Sequence, residues 1–246
     1  MSQIRIKDLC LLKCRDGLTT LPQGKVLINT INAHSYNMAR RDCLFSEALL
    51  KGDVLIPDGA SIVLAFRFLR REVIERITGW DLFTSRMKML NAKSIDTKTR
   101  GKVFFLGSSD SVLIKIRERV ATEYTHLDVY TFSPPFKTEF SEIENKQMIE
   151  AVNVVRPDLL WIGMTAPKQE KWIYTHIGQL HVNGPIGAIG AVFDFYAGTV
   201  KRAPLWWQEH NMEWCYRLIK EPKRMWKRYL VGNFLFLINI IRYELK

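Results

Sequence analysis

Short apolar runs separated by helix-length segments recur along the first 200 residues, and this alternation restricts the fold more than any other feature. Lys25–Thr30 (KVLINT), Val54–Ile56, Lys102–Leu106 (KVFFL), Leu127–Thr131 and Asp158–Gly163 are brief and apolar, as buried strands are. Between them the pattern predicts helices over about Ala33–Leu50, with Gly52-Asp53 as a break, then Ala60–Leu69, Gly79–Leu90, Ser111–Thr122, Glu139–Val155 and Pro167–His176. A further apolar segment covers Pro185–Ala191, and residues 4–12 (IRIKDLCLL) alternate imperfectly, which suits an edge strand or short hairpin. Strands and helices alternating at this spacing predict an α/β fold, a Rossmann-like open, mostly parallel sheet flanked by helices.

The pattern changes near Lys201, where strands cease and basic, tryptophan-rich helical sequence begins. This divides the chain into an α/β domain, 1–200, and a helical appendage, 201–246. The net charge is +11, and residues 201–246 hold ten Lys or Arg against four Glu. Such asymmetry points to an anionic partner: nucleic acid, a phosphorylated substrate or a membrane face. Cys10, Cys14, Cys43 and Cys215 form no C-x-x-C pair and no metal-ligand spacing, which suits a reducing, cytoplasmic setting. Arg5, Lys7 and Asp8 interrupt the first apolar residues, so no signal peptide is expected. The most apolar late segment, Tyr229–Ile241, makes a helix of about 20 Å, short of the ~30 Å hydrocarbon core. It is suited to lying on a bilayer rather than crossing one.

In an open parallel sheet, ligands bind beyond the carboxyl ends of the strands. Thr30 and Asn32, Asp58, Gly107 and Ser108, and Gly163 with Gln169 all fall at such ends. Asp58, before Gly59 and a helix, suits either an N-cap or a general base. Thr30 and Asn32 either satisfy a turn or face a ligand, and His34 reads as a helix-start residue. Gly107-Ser108-Ser109 resembles a phosphate cradle at a helix start. Pro167 suits a first helical turn, after which Gln169 and Glu170 face the strand end, where an amide can read a nucleobase edge or sugar hydroxyls. Asp194 is an acidic ligand or a satisfied buried group. Gly187, Ala188, Gly190 and Ala191 suit a strand end that a ligand approaches closely. No G-x-G-x-x-G follows the first strand, and no P-loop, D-x-D or HExxH occurs, so no metal site is expected.

Taken together, these residues resemble the WecG/TagA/CpsF family of bacterial glycosyltransferases over about Val26 to Arg228. The motifs are Thr30-Ile-Asn32, Pro57-Asp58-Gly59, Arg76-Ile-Thr-Gly79-Trp-Asp81-Leu82 and Gly163-x-x-x-Pro167-Lys-Gln169-Glu170. They continue with Gly190-x-x-Phe-Asp194-x-x-x-Gly198, Lys201-Arg202-Ala203-Pro204, Glu213-Trp214-x-x-Arg217-Leu218 and Pro222-x-Arg224. The resemblance implies an inverting, metal-independent enzyme without a cofactor, which moves an N-acetylmannosamine-type sugar from UDP to a glycan on a polyprenyl diphosphate. It implies Asp58 as base, Thr30 and Asn32 at the sugar, and Gln169 by the nucleotide. Arg202, Arg217 and Arg224 would lie in an appendage that closes over the site and meets the membrane. Lys227 and Arg228 extend that basic run without an implied role.

Inversion requires in-line attack, with Asp58 taking the acceptor proton and arginines, Arg76 included, facing the departing diphosphate. Six net positive charges with Trp206, Trp207, Trp226 and Phe234–Phe236 suit reversible binding to the inner face of the plasma membrane. Three rivals use the same residues: a single-strand nucleic-acid binder, an α/β enzyme with another nucleotide cofactor such as a methyltransferase, and a non-catalytic interaction protein. The first leaves Asp58 and Gln169 unused. The oligomeric state, the transferred sugar and the receiving polymer are left open by the sequence.

Overall fold

The computed structural model describes residues 4–244, apart from the side chain of Arg224. In chain order the elements are β1 (Leu27–Ile31), α1 (Ala33–Ala39), α2 (Cys43–Leu50), β2 (Val54–Pro57), α3 (Ala60–Arg70), α4 (Gly79–Thr97), β3 (Gly101–Gly107), α5 (Asp110–Glu123), β4 (Leu127–Phe132), α6 (Glu142–Val155), β5 (Leu159–Gly163), α7 (Lys168–His176), β6 (Ile186–Ala188) and α8 (Val192–Ala197). The appendage adds α9 (Leu205–Glu209), α10 (Glu213–Lys220), α11 (Pro222–Trp226), a π-helical turn (Lys227–Val231) and α12 (Gly232–Tyr243).

The six strands form one sheet in the order β2-β1-β6-β5-β3-β4, and every pair is parallel. Helices cover both faces, which is why the strands read as continuous apolar runs rather than alternating ones. Val103, Phe105 and Trp161 pack on one face against α4, α5 and α8. Phe104, Leu106, Leu160 and Ile162 pack on the other against α6 and α7. A third cluster joins Ile31 and Leu55 to Tyr36, Phe45, Ile62 and Phe66 from α1–α3. Phe236 and Ile240 of α12 complete it, so the end of the appendage is part of the core.

Three elements depart from the sequence reading. Residues 4–12 make no hairpin: a 3₁₀ turn spans Ile6–Asp8, and a single parallel bridge joins Leu11 to Leu55 at the β2 edge. The helix expected over Ala33–Leu50 is two, because Asp42 caps α2 by accepting the Phe45 amide at 3.0 Å. Helix α4 runs on to Thr97, as its polar second half still packs against the β3 layer. The small residues at β6 also have another use. A Cβ on Gly187 would lie 2.3 Å from the Trp161 ring, and one on Gly163 would lie 2.6 Å from Phe193. These glycines admit neighbouring aromatics, a packing need that the sequence did not show.

Candidate active site

An all-parallel sheet delivers the carboxyl ends of its strands to one edge. Thr30 pairs with Ile56 and Ile31 with Pro57, so Thr30, Asn32 and Asp58 emerge side by side from β1 and β2. Gly107 pairs with Gly163 further along the same edge. The structure therefore gathers the strand-end candidates in one row, in two groups with different chemistry.

The β1–β2 group surrounds Asp58. Its amide donates to the Ile31 carbonyl at 2.8 Å, which fixes the backbone at the β1 end. Helix α3 is headed by Gly59 and receives no side-chain cap, so Asp58 is not spent on capping. Burial pushes its carboxyl above the ordinary range. Arg76 opposes that rise, Glu213 adds to it, and the Gly79 amide and Arg228 pull the other way. Asn32 caps α1, its Oδ1 accepting the His34 and Ser35 amides at 3.0 Å each while Ser35 Oγ accepts the Asn32 amide at 2.8 Å. Thr30 is half-buried beside it. His34, in the first turn of α1, has its pKa lowered to about 4 by burial and by Arg228. Its imidazole is therefore neutral near pH 7, and one appendage arginine acts on both it and Asp58.

Over this group lies an arginine–glutamate clasp. Glu213 opens α10 and bridges two arginines, with Arg76 Nη2 at 3.1 Å from one oxygen and Arg202 Nε at 3.2 Å from the other. These side chains are only 12–18% exposed. The Arg202 guanidinium also stacks 5.2 Å from the Trp80 ring centre. Arg217, one turn along α10, lies 5.6 Å from the Phe195 ring centre. Among the described residues, the buried Nε–H groups of Arg76 and Arg217 have no acceptor. An unsatisfied buried donor costs about 1–3 kcal/mol, a cost that an anion bound here would relieve. Arg224 is placed in α11, but its side chain lies outside the described residues.

The β3–β5 group is largely satisfied internally, the buried Glu170 Oε2 being the exception among the described residues. The Ser108 amide, expected in a phosphate cradle, donates instead to the Gly163 carbonyl at 3.0 Å, and its carbonyl accepts from Ser133 Oγ at 2.8 Å. Gly107 adopts φ +117°, and a Cβ there would lie 2.5 Å from the Gly163 carbonyl oxygen. The uncapped donors at this turn are the first amides of α5. Gln169 is buried: its Oε1 accepts the Met164 amide at 3.1 Å and its Nε2 donates to Glu170 at 2.9 Å. These two bonds hold the amide in place and leave one N–H and one oxygen lone pair for a further contact. Burial raises the Glu170 pKa to about 6. Asp194 accepts from Thr199 Oγ1 at 3.3 Å and closes the turn after α8.

Sequence reasoning missed the roles of Glu213 and Arg228. Glu213 is visible as the acid of the Glu213-Trp214 motif, but its two partners lie 11 and 137 residues away. Arg228 differs in no local feature from Lys227. Among the described residues, no three His, Cys, Asp or Glu side chains are grouped as a metal site would need.

A carboxylate at the carboxyl edge of a parallel sheet, roofed by arginines, is an enzyme's layout, and comparison with known proteins says which kind. The sequence model of the glycosyl transferase WecG/TagA/CpsF family matches residues 4–246, and the chain belongs to that family. It is a glycosyltransferase, which sets aside the binding-protein and methyltransferase alternatives. Its relatives include the N-acetylglucosaminyldiphosphoundecaprenol N-acetyl-beta-D-mannosaminyltransferase of Bacillus subtilis (strain 168), 30% identical over 206 residues, 83% of this chain and 75% of the relative. The same-named protein of Bacillus spizizenii is 28% identical over 86% of this chain and 78% of its own. That of Staphylococcus aureus (strain MW2) is 25% identical over 91% and 83%.

Proposed function

We propose that this enzyme moves an N-acetylmannosamine-type sugar from a UDP-sugar to a polyprenyl-diphosphate-linked glycan, inverting the anomeric centre without a metal. The relatives' names supply the acceptor class and the sugar type. The observation that carries the reading is Asp58: a carboxylate at the sheet's carboxyl edge, unused as a helix cap, facing Arg76 and the clasp.

In the reaction the acceptor oxygen attacks C1 of the donor sugar as the bond from C1 to the diphosphate oxygen breaks. Asp58 takes the acceptor's proton, and UDP leaves on the opposite face. The raised pKa of Asp58, caused by burial, makes its carboxylate a stronger base than that of a surface aspartate. Arg76, Arg202 and Arg217 meet the departing diphosphate, and Arg228 holds His34 and Asp58 in one positive field. At 4 Å a unit charge pair is worth about 4 kcal/mol at an effective dielectric of 20, against about 1 in water, so the arginines act best with the appendage closed. Glu213 stands where it neutralises two of these arginines, and the incoming diphosphate competes with it for them.

With the lipid-linked acceptor, the basic appendage seats the enzyme on the inner face of the membrane. Among the described residues no helix is long and apolar enough to cross one. Trp206, Trp214 and Trp226 are exposed, Trp207 is half-buried, and Phe236 points into the core, so Phe236 drops out of the expected lipid contact. Product analysis with a panel of UDP-sugars and short-chain polyprenyl diphosphate acceptors, with and without EDTA, tests the assignment. The expected result is EDTA-insensitive transfer with inverted anomeric configuration. Transfer with retention, or only with a metal, would overturn the mechanism.

A further inference from the structure

Helices α3 and α12 belong to different parts of the chain but meet in one core cluster, where α12 packs along α1. They begin together, Ser61 Oγ lying 3.5 Å from Asn233 Oδ1. They also end together on the 3₁₀ turn at Ile6–Asp8. There Arg70 donates to the Lys7 and Leu9 carbonyls at 3.3 Å each, while Glu244, just past α12, accepts the Ile6 amide at 2.6 Å. Their inner faces share one core cluster, Ile62 and Phe66 from α3 with Phe236 and Ile240 from α12.

Two residues beyond each buried position is about 200° around a helix, the outward face. On α3 that position holds Leu64 and Phe68, 64% and 69% exposed. On α12 the outward side holds Phe234, Leu237 and Ile241, 58–65% exposed. Five large apolar side chains thus look outward from two helices rooted in the same cluster, more than scattered surface hydrophobes require. Neither helix contains a carboxylate, whereas Arg67, Arg71 and Arg242 stand exposed on them or at their ends. Glu72, which follows, is tied to Lys13 and Arg70.

We infer that the outward faces of α3 and α12 form one lipid-facing plane that seats the protein on an anionic leaflet, so the catalytic domain itself contributes a membrane helix. The inference rests on the membrane-docked reading above and extends it beyond the appendage. Charge selects the occupant. A second copy packed face to face would bring like charges together without a carboxylate on either helix to match them, whereas anionic headgroups complement the basic rim. Position supplies the use. Helix α3 starts two residues after Asp58, and Leu64 and Phe68 lie about 6 and 12 Å along its axis from Ala60. Lipid contact there holds the base close to the headgroup layer, where a lipid-linked diphosphate is presented.

The test is co-sedimentation of the full chain with phosphatidylcholine vesicles, with and without phosphatidylglycerol. Wild type is compared with Leu64→Gln/Phe68→Gln and with Phe234→Gln/Ile241→Gln. All four positions are exposed, so melting temperature and turnover of a water-soluble acceptor analogue should stay at wild-type values. The expected result is anionic-vesicle binding weakened about tenfold or more by each pair. Wild-type binding by the α3 pair alongside loss in the α12 pair would overturn the inference and leave the appendage reading standing. Absence of wild-type binding to any vesicle would overturn both. A dimer broken by the α3 pair, with vesicle binding unchanged, would assign the face to a second copy and overturn the inference.

Discussion

Helices α10 and α12 come from the same basic C-terminal stretch, yet they are fastened to the α/β body by different physics. Helix α12 buries Phe236 and Ile240 in the cluster built by α1–α3. Just past its end, Glu244 accepts from the Ile6 amide at 2.6 Å and from Tyr36 Oη at 2.8 Å. Asn37 adds bonds to the Gly232 carbonyl and to Asn239 at 2.7 and 2.9 Å. Helices α9 and α10 bury no residue fully, and α10 is held chiefly by the carboxylate of Glu213 between Arg76 and Arg202. Apolar burial makes an anchor that only unfolding releases, whereas an ion-pair clasp can be exchanged for a competing anion. The appendage is therefore two mechanical parts: a root that belongs to the core and a cover held by charge.

The comparison breaks first at the root. Phe236→Ala should cost about 3–5 kcal/mol in denaturant unfolding, because its cavity opens inside a shared cluster. A loss under about 1 kcal/mol would mean that α12 is only appended. At the cover the effect should move from stability to catalysis. Glu213→Gln is expected to cost about 1–3 kcal/mol, less than at the root, since it removes the counter-charge of two largely buried arginines while its amide oxygen keeps one acceptor. It should lower kcat/KM roughly 10–100-fold, about 1.4 kcal/mol per factor of ten, as the cover loses its fastening. Because Glu213 pushes the Asp58 carboxyl upward, the acid limb of the pH–rate profile should also move to lower pH in this variant. A fall in rate with an unmoved limb would make Glu213 merely structural.

The smallest effect sharpens that reading by separating stability from catalysis. Glu170 lies in neither region and has its pKa raised to about 6 by burial. Its ionised form strains the fold above pH 6, and the strain is relieved as pH falls from 6 toward the ordinary carboxylate range. Relative to Glu170→Gln, wild type should therefore gain about 1 kcal/mol between pH 7 and 5. Glu170→Gln should lack that gain and leave the acid limb of the rate profile in place.

Much of this was legible in the sequence, and the reasons differ by region. The strands were readable because helices cover both faces of the sheet, leaving unbroken apolar runs such as Val103–Leu106. Parallel strands then necessarily bring Thr30, Asn32, Asp58, Gly107 and Gly163 to one edge. What local sequence could not separate was an Asp58 that caps α3 from one that faces a crevice, since both precede a glycine and a helix. Nor could it show that the Ser108 amide is taken by Gly163, or that Gly187 is small to admit Trp161, because those partners arrive from distant strands. The appendage read as one basic segment because composition does not distinguish Phe236, turned inward, from Phe234, turned outward. Helix α3 hid its surface for the same reason: Leu64 and Phe68 look like core residues until Ile62 and Phe66 are seen beneath them.

The central claim is that Asp58 is the base, and Asp58→Asn addresses it directly, with UDP affinity and sugar transfer measured on the same preparation. Since the folded protein disfavours the ionised carboxyl, the amide should be at least as stable as wild type. The account predicts nearly unchanged UDP affinity and transfer reduced by about 10²–10⁴. Wild-type turnover by that variant would contradict it.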